Sequence, residues 1–209
     1  MSIKSFVSSV AALFVGISAL SAQTPEEIVK EMTTRLARCE SEGFSMDFSI
    51  GLPIVGTFVS HNMVRGEKLR SEMEKEGKKS ISWTDATTKW SYDVNAGEIT
   101  ISTKDSSTSS DTSDMEAFEG IVDGYDLVLQ KETVDTWYIL CKKSRKNKDK
   151  NDPKRMELAV AKATYLPVYL RARQSLFSFS IENITPGVSE ESVTFDPAGF
   201  PGVKIIDNR

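Results

Sequence analysis

The sequence has 209 residues, a formal net charge of −4 and 39% hydrophobic residues. A chain of this length can bury a core within one domain, and its acidic balance argues against nucleic acid as a general partner. His61 is the only histidine, and G-x-S-x-G, G-x-G-x-x-G and C-x-x-C motifs are missing. Histidine-based metal sites and Ser-His-Asp chemistry therefore have little support, and we expect a protein that is not an enzyme and uses no metal or cofactor.

Residues 1–22 have the pattern of a secretory signal peptide. Lys4 precedes an apolar run from Phe6 to Leu20 that is too short and too rich in serine to span a bilayer comfortably. A lipoprotein signal would place a cysteine directly after the cleavage site, whereas Gln23 stands there. We therefore expect a soluble periplasmic protein without an acyl anchor, folded as one domain over residues 23–209.

The first part of that domain predicts a single helix. Thr24 offers a capping hydroxyl, and Pro25 suits the first helical position. Apolar residues that include Met32 and Leu36 then recur at helical spacing. The resulting amphipathic helix should end near Glu42 and must pack against another element, because a lone helix of this length is only marginally stable.

From Phe44 onward the hydrophobic period changes to two, with Phe44, Met46 and Phe48 alternating with polar residues. Short turn-like segments separate the runs, as an antiparallel meander requires. A stretch of Ser, Thr and Asp from Asp105 to Asp114 predicts a flexible loop, and a short helical turn is expected from Met115 to Val122. The further predicted strands are Ile54–Val64, Lys68–Lys75, Ser80–Thr84, Lys89–Val94, Ile99–Lys104, Tyr125–Lys131, Thr136–Lys143, Met156–Lys162, Val168–Arg173, Leu176–Glu182 and Val203–Ile206.

Roughly eleven strands and one helix predict an α+β fold: a single large antiparallel sheet, curled into a half-barrel, with the N-terminal helix covering its concave face. A concave face that is incompletely filled forms an apolar groove suited to acyl chains. Alternation does not tell which sheet face is concave, so the candidate residues could line a groove or simply fill a core. The candidate groove-lining residues are Met32, Leu36, Phe44, Met46, Phe48, Phe58, Trp83, Trp90, Tyr92, Trp137, Phe177 and Phe179.

Two further features leave alternatives open. An oxidising compartment would permit a disulfide between Cys39 and Cys141, but two cysteines equally suit small buried hydrophobes. The segment from Lys142 to Arg155 contains eight positive and two negative residues. Such a segment is either a solvated hairpin tip or a surface for acidic lipid headgroups or a docking partner.

Several of these segments together resemble the bacterial outer-membrane lipoprotein carrier family, the LolA type. Ser80–Asp93 is similar to that family's strand–turn–strand segment with a D-G-K-T-L-W-x-Y core, although Ala86 replaces the turn glycine. Gly43–Phe48 resembles the family's first strand, Leu166–Leu170 a strand entered through proline, and Ser192–Asp207 its closing F-x-P and G-V-x-V-I-D segments. The resemblance spans most of the chain after residue 22.

The resemblance implies a periplasmic carrier that acts as a monomer, shields the acyl chains of lipoproteins and moves them from the inner to the outer membrane. Its implied partners are an inner-membrane lipoprotein-releasing transporter and an outer-membrane acceptor. An arginine ties the lid to the barrel in the family; Arg65 is the nearest counterpart, although Gly66 follows it where the family has proline. A carrier of free lipid or another amphiphile, and a lipoprotein-sensing adaptor with the same half-barrel, are the alternatives.

Overall fold

The computed structural model describes residues 23–104, 120, 122–174 and 176–209. The predicted signal peptide, the predicted loop from Asp105 to Asp114 and most of the helical turn predicted after it lie outside the described residues. Helix α1 spans Pro25–Glu42 and a short helix α2 spans Glu190–Val193. The strands are β1 Phe44–Leu52, β2 Gly56–Arg65, β3 Lys68–Lys75, β4 Lys78–Thr84, β5 Thr88–Asp93, β6 Glu98–Thr103, β7 Tyr125–Glu132, β8 Thr136–Lys143, β9 Arg155–Ala161, β10 Pro167–Gln174, β11 Phe177–Pro186 and β12 Lys204–Asp207.

All twelve strands belong to one sheet, in the order β12-β6-β5-β4-β3-β2-β1-β11-β10-β9-β8-β7. Neighbouring strands are antiparallel except at one edge, where β12 runs parallel to β6. The sheet is curled but not closed, and α1 packs on one of its faces. The α+β half-barrel expected from the sequence is therefore confirmed, with a parallel edge strand as an addition.

Helix α1 begins as its sequence predicts. The Thr24 hydroxyl accepts a hydrogen bond from the Glu27 amide at 3.2 Å, and the Glu27 carboxylate accepts one from the Thr24 amide at 2.9 Å. This reciprocal capping satisfies two amides that the first helical turn leaves without partners. No helix among the described residues combines the length and the apolarity that a membrane crossing needs.

The main core lies between α1 and one half of the sheet. Ile28, Met32 and Leu36 of α1 are each at most 2% exposed. They pack with the apolar side chains of β1, β2 and β8 to β11. Since burying a large aliphatic side chain contributes about 1.5–3 kcal/mol, these three contacts hold α1 on the sheet more strongly than helix propensity does.

The structure differs from the sequence prediction at the first hairpin. Ile54 was expected inside a strand, but β1 continues to Leu52 and β2 starts at Gly56, so that residues 53–55 form the turn. The physical reason is that Pro53 cannot donate a ladder hydrogen bond and that Gly56 adopts a positive φ of 85°. As a result Ile54 and Val55 lie exposed at the turn.

Candidate functional site

Pairing between strands defines two faces of the sheet. Directly paired residues of neighbouring strands lie on the same face. Phe44 pairs with Val64 of β2, and Phe48 pairs with Ile181 of β11. We call the face that carries these residues the helix face, because Met32 of α1 packs in the same buried cluster. The opposite face is called the outer face.

Part of the helix face is apolar and still partly exposed. Ile50 is paired with Phe58 of β2 on one side and with Phe179 of β11 on the other. These aromatic rings continue the core away from α1, toward the β1–β2 and β10–β11 turns. We call this surface the apolar strip; it consists of Phe48, Ile50, Leu52, Phe58, Phe177 and Phe179, all partly or largely exposed.

Another part of the helix face carries a polar row. A row of short side chains crosses β2 to β6 through direct cross-strand pairs: Asn62, Ser71, Ser82, Ser91 and Thr100. Its first member, Asn62, is paired in the other direction with Met46 on the apolar side. Along this row the helix face changes from apolar at Met46 to polar from Asn62 onward, a division that suits a ligand with an apolar and a polar part.

The structure divides the predicted groove residues between the two faces. Trp83, Trp90 and Tyr92 lie on the outer face, where they pack against Phe195 and Phe200. The ring centroids in this cluster are 5.0–5.7 Å apart, close enough for edge-to-face and stacked contacts. The three residues therefore do not share a groove with the apolar strip. The segment that covers them, Ser192–Asp207, is identified in the sequence as a closing segment, but not as a cover of these side chains.

The other predicted residues lie on the helix face in different degrees of burial. Met32, Leu36, Phe44 and Met46 are buried in the core beneath α1. Trp137 is also buried, near the start of β8. Its ring centroid lies 5.3 Å from that of Tyr165 and 5.4 Å from the Lys162 ammonium nitrogen. Phe48, Phe58, Phe177 and Phe179 form most of the apolar strip. Their role in lipid binding stays a prediction; Ile50 and Leu52 belong with them by the same alternation.

Arg65 connects the end of α1 to the C-terminal segment. Its Nη1 donates to the carbonyl of Glu42 at 2.8 Å and to the carbonyl of Val188 at 2.7 Å. Its Nε lies 3.5 Å from a carboxylate oxygen of Glu190. The last carbonyls of a helix have no intrahelical partner, and α1 has no basic residue in its own last turn. Arg65 thus supplies the missing donor and positive charge.

A cleft of about 870 Å³ runs along the side of α1 that faces the start of β7. Its apolar walls come from Val29 and Ala37 of the helix and from Val122, Tyr125 and Leu127 opposite them. The cleft is open to solvent on its outer side, where Glu26, Lys30 and Arg38 lie. The cleft therefore leaves space for a ligand between α1 and the start of β7.

Neither cysteine forms a disulfide. Cys39 on α1 and Cys141 on β8 are both free and buried in the core. Burial raises the pKa of both thiols, that of Cys141 to about 11. Within the described residues no group of three or more His, Cys, Asp or Glu side chains is placed to hold a metal ion.

The single histidine belongs to a structural network on the outer face. His61 Nδ1 and Asp47 Oδ1 are 2.7 Å apart, and Asn183 donates to Asp47 Oδ2 at 2.7 Å. Partial burial raises the pKa of Asp47, but the hydrogen bonds from Asn183 and His61 outweigh it and bring the pKa below its ordinary 3.8. The three residues tie β1, β2 and β11 together and are placed for stability.

Comparison with known proteins gives similarities of fold. No protein-family model matches the chain, and no curated protein matches it. Among solved structures, a LolA superfamily protein of Nitrosomonas europaea aligns at 10% identity over 84% of this chain and 99% of its own, with a TM-score of 0.35. LprF of Mycobacterium bovis aligns at 9% identity over 83% of this chain and 99% of its own, with a TM-score of 0.49.

A third structure, the lipoprotein LppX of Mycobacterium tuberculosis, aligns at 10% identity over 76% of this chain and 94% of its own, with a TM-score of 0.48. At such low identities and TM-scores the likenesses describe shape and carry no information on ligand or activity.

Proposed function

We propose that this protein is a periplasmic carrier that binds acyl chains on the helix face of its half-barrel and performs no chemical step on them. The observation that carries the proposal is the apolar strip, which leaves aromatic side chains partly exposed beside a buried core. An acyl chain laid along the strip removes apolar surface of both partners from water. At about 0.8 kcal/mol per buried methylene, ten methylenes contribute about 8 kcal/mol before the costs of association.

Helix α1 acts in this proposal as a displaceable cover. Its buried side chains, Ile28, Met32 and Leu36, occupy the face that a longer acyl chain would use. Exposing three such side chains costs at least about 5 kcal/mol. An acyl chain that takes their place on the sheet offsets much of this cost. Binding then stays reversible, as a carrier that must release its cargo requires.

The cargo that we propose is an acylated lipoprotein, taken from a releasing transporter in the inner membrane and handed to an acceptor at the outer membrane. The chain acts as a monomer in this scheme. The hydroxyl row from Asn62 to Thr100 borders the apolar side and would contact the polar part of the cargo. A free phospholipid or another amphiphile would use the same two surfaces, and competition for one probe separates the two kinds of cargo.

The test is a titration with an environment-sensitive fluorescent fatty acid. Wild-type protein should bind it saturably, and the substitution Phe58→Asp should weaken binding at least about ten-fold, because it places a charge in the apolar strip. The control is Val59→Asp on the next residue of β2, which is already exposed on the outer face and should bind like wild type. Displacement of the probe by a triacylated lipopeptide at lower concentration than by phospholipid supports lipoprotein cargo.

Two results would contradict the proposal. The first is a wild-type protein that does not bind the probe at any accessible concentration. The second is equal loss of binding in Phe58→Asp and Val59→Asp, which would show that the acyl chain does not bind preferentially to the helix face. If phospholipid displaces the probe more strongly than the lipopeptide, the acyl-binding surface stands and the lipoprotein cargo does not.

A further inference from the structure

One end of the half-barrel gathers five connections. The β1–β2 and β10–β11 turns are neighbours there, since Gly51 pairs with Ser178 at the adjacent strand ends. The β3–β4 and β5–β6 turns lie on one side of them, where the Asn95 amide donates to the Gly77 carbonyl at 3.4 Å. The β8–β9 connection lies on the other side, where the Gln174 amide donates to the Lys150 carbonyl at 3.1 Å. We call this the loop end of the sheet.

The two central turns of the loop end present apolar side chains to solvent. Ile54 is 96% exposed and Leu176 is 72% exposed, with Val55 and Phe177 beside them. These side chains adjoin the apolar strip, which reaches the loop end through Leu52. Among the described turns at the opposite end, the exposed large hydrophobic side chain is Val134. The apolar turn residues are therefore concentrated where the strip opens.

Basic side chains flank the apolar turns. The connection between β8 and β9 carries Arg145, Lys146, Lys148, Lys150 and Lys154, and within the described part of the chain none of them forms an ion pair with a carboxylate. This basic hairpin is held against the sheet end. The Tyr125 hydroxyl donates to the Pro153 carbonyl at 2.9 Å, and within the hairpin the Asn147 amide donates to Asp152 at 2.6 Å.

A row of cations continues from the basic hairpin onto the outer face. Lys142 of β8 is paired directly with Arg155 of β9. The pairing of Ala172 with Met156 places Arg173 of β10 opposite Arg155 in turn. Like charges in directly opposite positions destabilise a sheet. Unlike Arg171, whose guanidinium binds Glu182 at 3.1 Å, these three cations have no acidic partner among the described residues.

The row borders a cleft of about 560 Å³ on the outer face. Arg155, Arg171 and Arg173 line it together with Ser178 and Ser180, and Glu157 is the acidic residue of its lining. Guanidinium groups and hydroxyls are the groups that bind phosphate oxygens well. Arg155 and Arg173, which have no carboxylate partner among the described residues, can thus bind a phosphate group in this cleft.

We propose that the loop end is a docking surface for an anionic phospholipid membrane. Ile54 and Leu176 enter the interfacial region of the bilayer, and the basic hairpin and the Arg155–Arg173 cleft contact lipid phosphates. A chain of net charge −4 would otherwise be repelled by such a surface, so the clustering of cations at this end orients the molecule. The inference rests on the proposed function in one respect: docking in this orientation places the open part of the apolar strip at the membrane, where acyl chains enter or leave.

The test is sedimentation of the full folded chain with vesicles of phosphatidylcholine alone and with vesicles that contain 30% phosphatidylglycerol. We expect binding to the anionic vesicles that weakens with added salt and is displaced only weakly by free inorganic phosphate. Ile54→Asp and Leu176→Asp should each weaken it several-fold, with Val134→Asp at the opposite end as the control. Arg173→Glu changes the local charge by two and should weaken binding more than ten-fold, at about five-fold per charge, with Arg38→Glu on α1 as the control.

Equal binding to both kinds of vesicle, no binding to either, or equal losses in the test and control variants would overturn the proposal. If free inorganic phosphate at low concentration abolished sedimentation with the anionic vesicles, the surface would be a site for free phosphate. That result would overturn the proposal as well. The fluorescent fatty acid titration is run on the same variants. Retained probe binding in Arg173→Glu with lost vesicle binding separates this inference from the carrier function; lost probe binding in all proteins would refute the carrier function alone.

Discussion

The hydrogen bonds of Arg65 predict a specific loss of stability when the guanidinium is removed. In Arg65→Met the carbonyls of Glu42 and Val188 lose their donor, and the end of α1 loses its compensating positive charge. The bond to Val188 is part-buried and the bond to Glu42 is exposed, so we assign about 1.5 and about 0.5 kcal/mol to them. The charge at the helix end adds about 0.5 kcal/mol, for a total of about 2.5 kcal/mol.

Urea unfolding of Arg65→Met should therefore give a free energy of unfolding about 2.5 kcal/mol below that of wild type, with an unchanged m-value. Hydrogen exchange should accelerate first in the last turn of α1. The matched control is Arg38→Met, because Arg38 lies exposed on the same helix and its guanidinium forms no ion pair within the described residues. Equal stability of the two variants, with unchanged exchange at the end of α1, would refute the assigned role of Arg65.

Three further predictions concern Gly43, the two buried cysteines and the pH dependence that Asp47 causes. Gly43→Ala should lower the free energy of unfolding in urea by more than about 2 kcal/mol, because the added Cβ would lie 2.8 Å from the Val188 carbonyl oxygen. The control is Gly56→Ala: Gly56 has a similar positive φ, but a Cβ there would meet open space, so the loss should be only about 1 kcal/mol. Equal costs would contradict the steric argument. Cys39 and Cys141 should resist iodoacetamide at pH 8 in the native protein and react after unfolding. The reason is that at a pKa of about 11 only about one Cys141 thiol in a thousand is ionised at this pH. Mass spectrometry gives the number of alkylated cysteines in each state. Because the folded-state pKa of Asp47 lies below 3.8, its stabilisation is present above that pH and is lost as the pH falls toward the lower value, so the acid limb of stability should be shallower in Asp47→Asn; an identical limb would contradict this.

Local signals in the sequence were sufficient to predict most of the fold. The capping residues before α1 and the spacing of Met32 and Leu36 predict a helix that the structure confirms from Pro25 to Glu42. Alternation predicts β1 because its side chains reach both faces of a half-covered sheet. The parallel pairing of β12 with β6 could not be predicted, because it depends on where the C-terminal segment crosses the sheet edge.

The candidate site was less accessible to sequence reasoning. Alternation places Phe58 and Trp83 each on a definite side of its own strand, but only the register of the whole sheet shows that these sides are opposite faces. Phe195 and Phe200 lie outside the strands, so no periodicity indicates that they cover Trp83. The exposure of Ile54 follows from its position in the turn after Pro53, where the sequence predicts the start of a strand.

The position of the acyl-binding surface is measured most directly by photo-crosslinking. A fatty acid with a photoreactive group near its methyl end is bound to the wild-type protein, irradiated, and the labelled peptides are identified by mass spectrometry. Labels should fall on the peptides of β1, β2 and β11 that carry Phe48, Phe58 and Phe179. Labels confined to the peptides of Trp83 and Phe195 would place the ligand on the outer face and contradict the account.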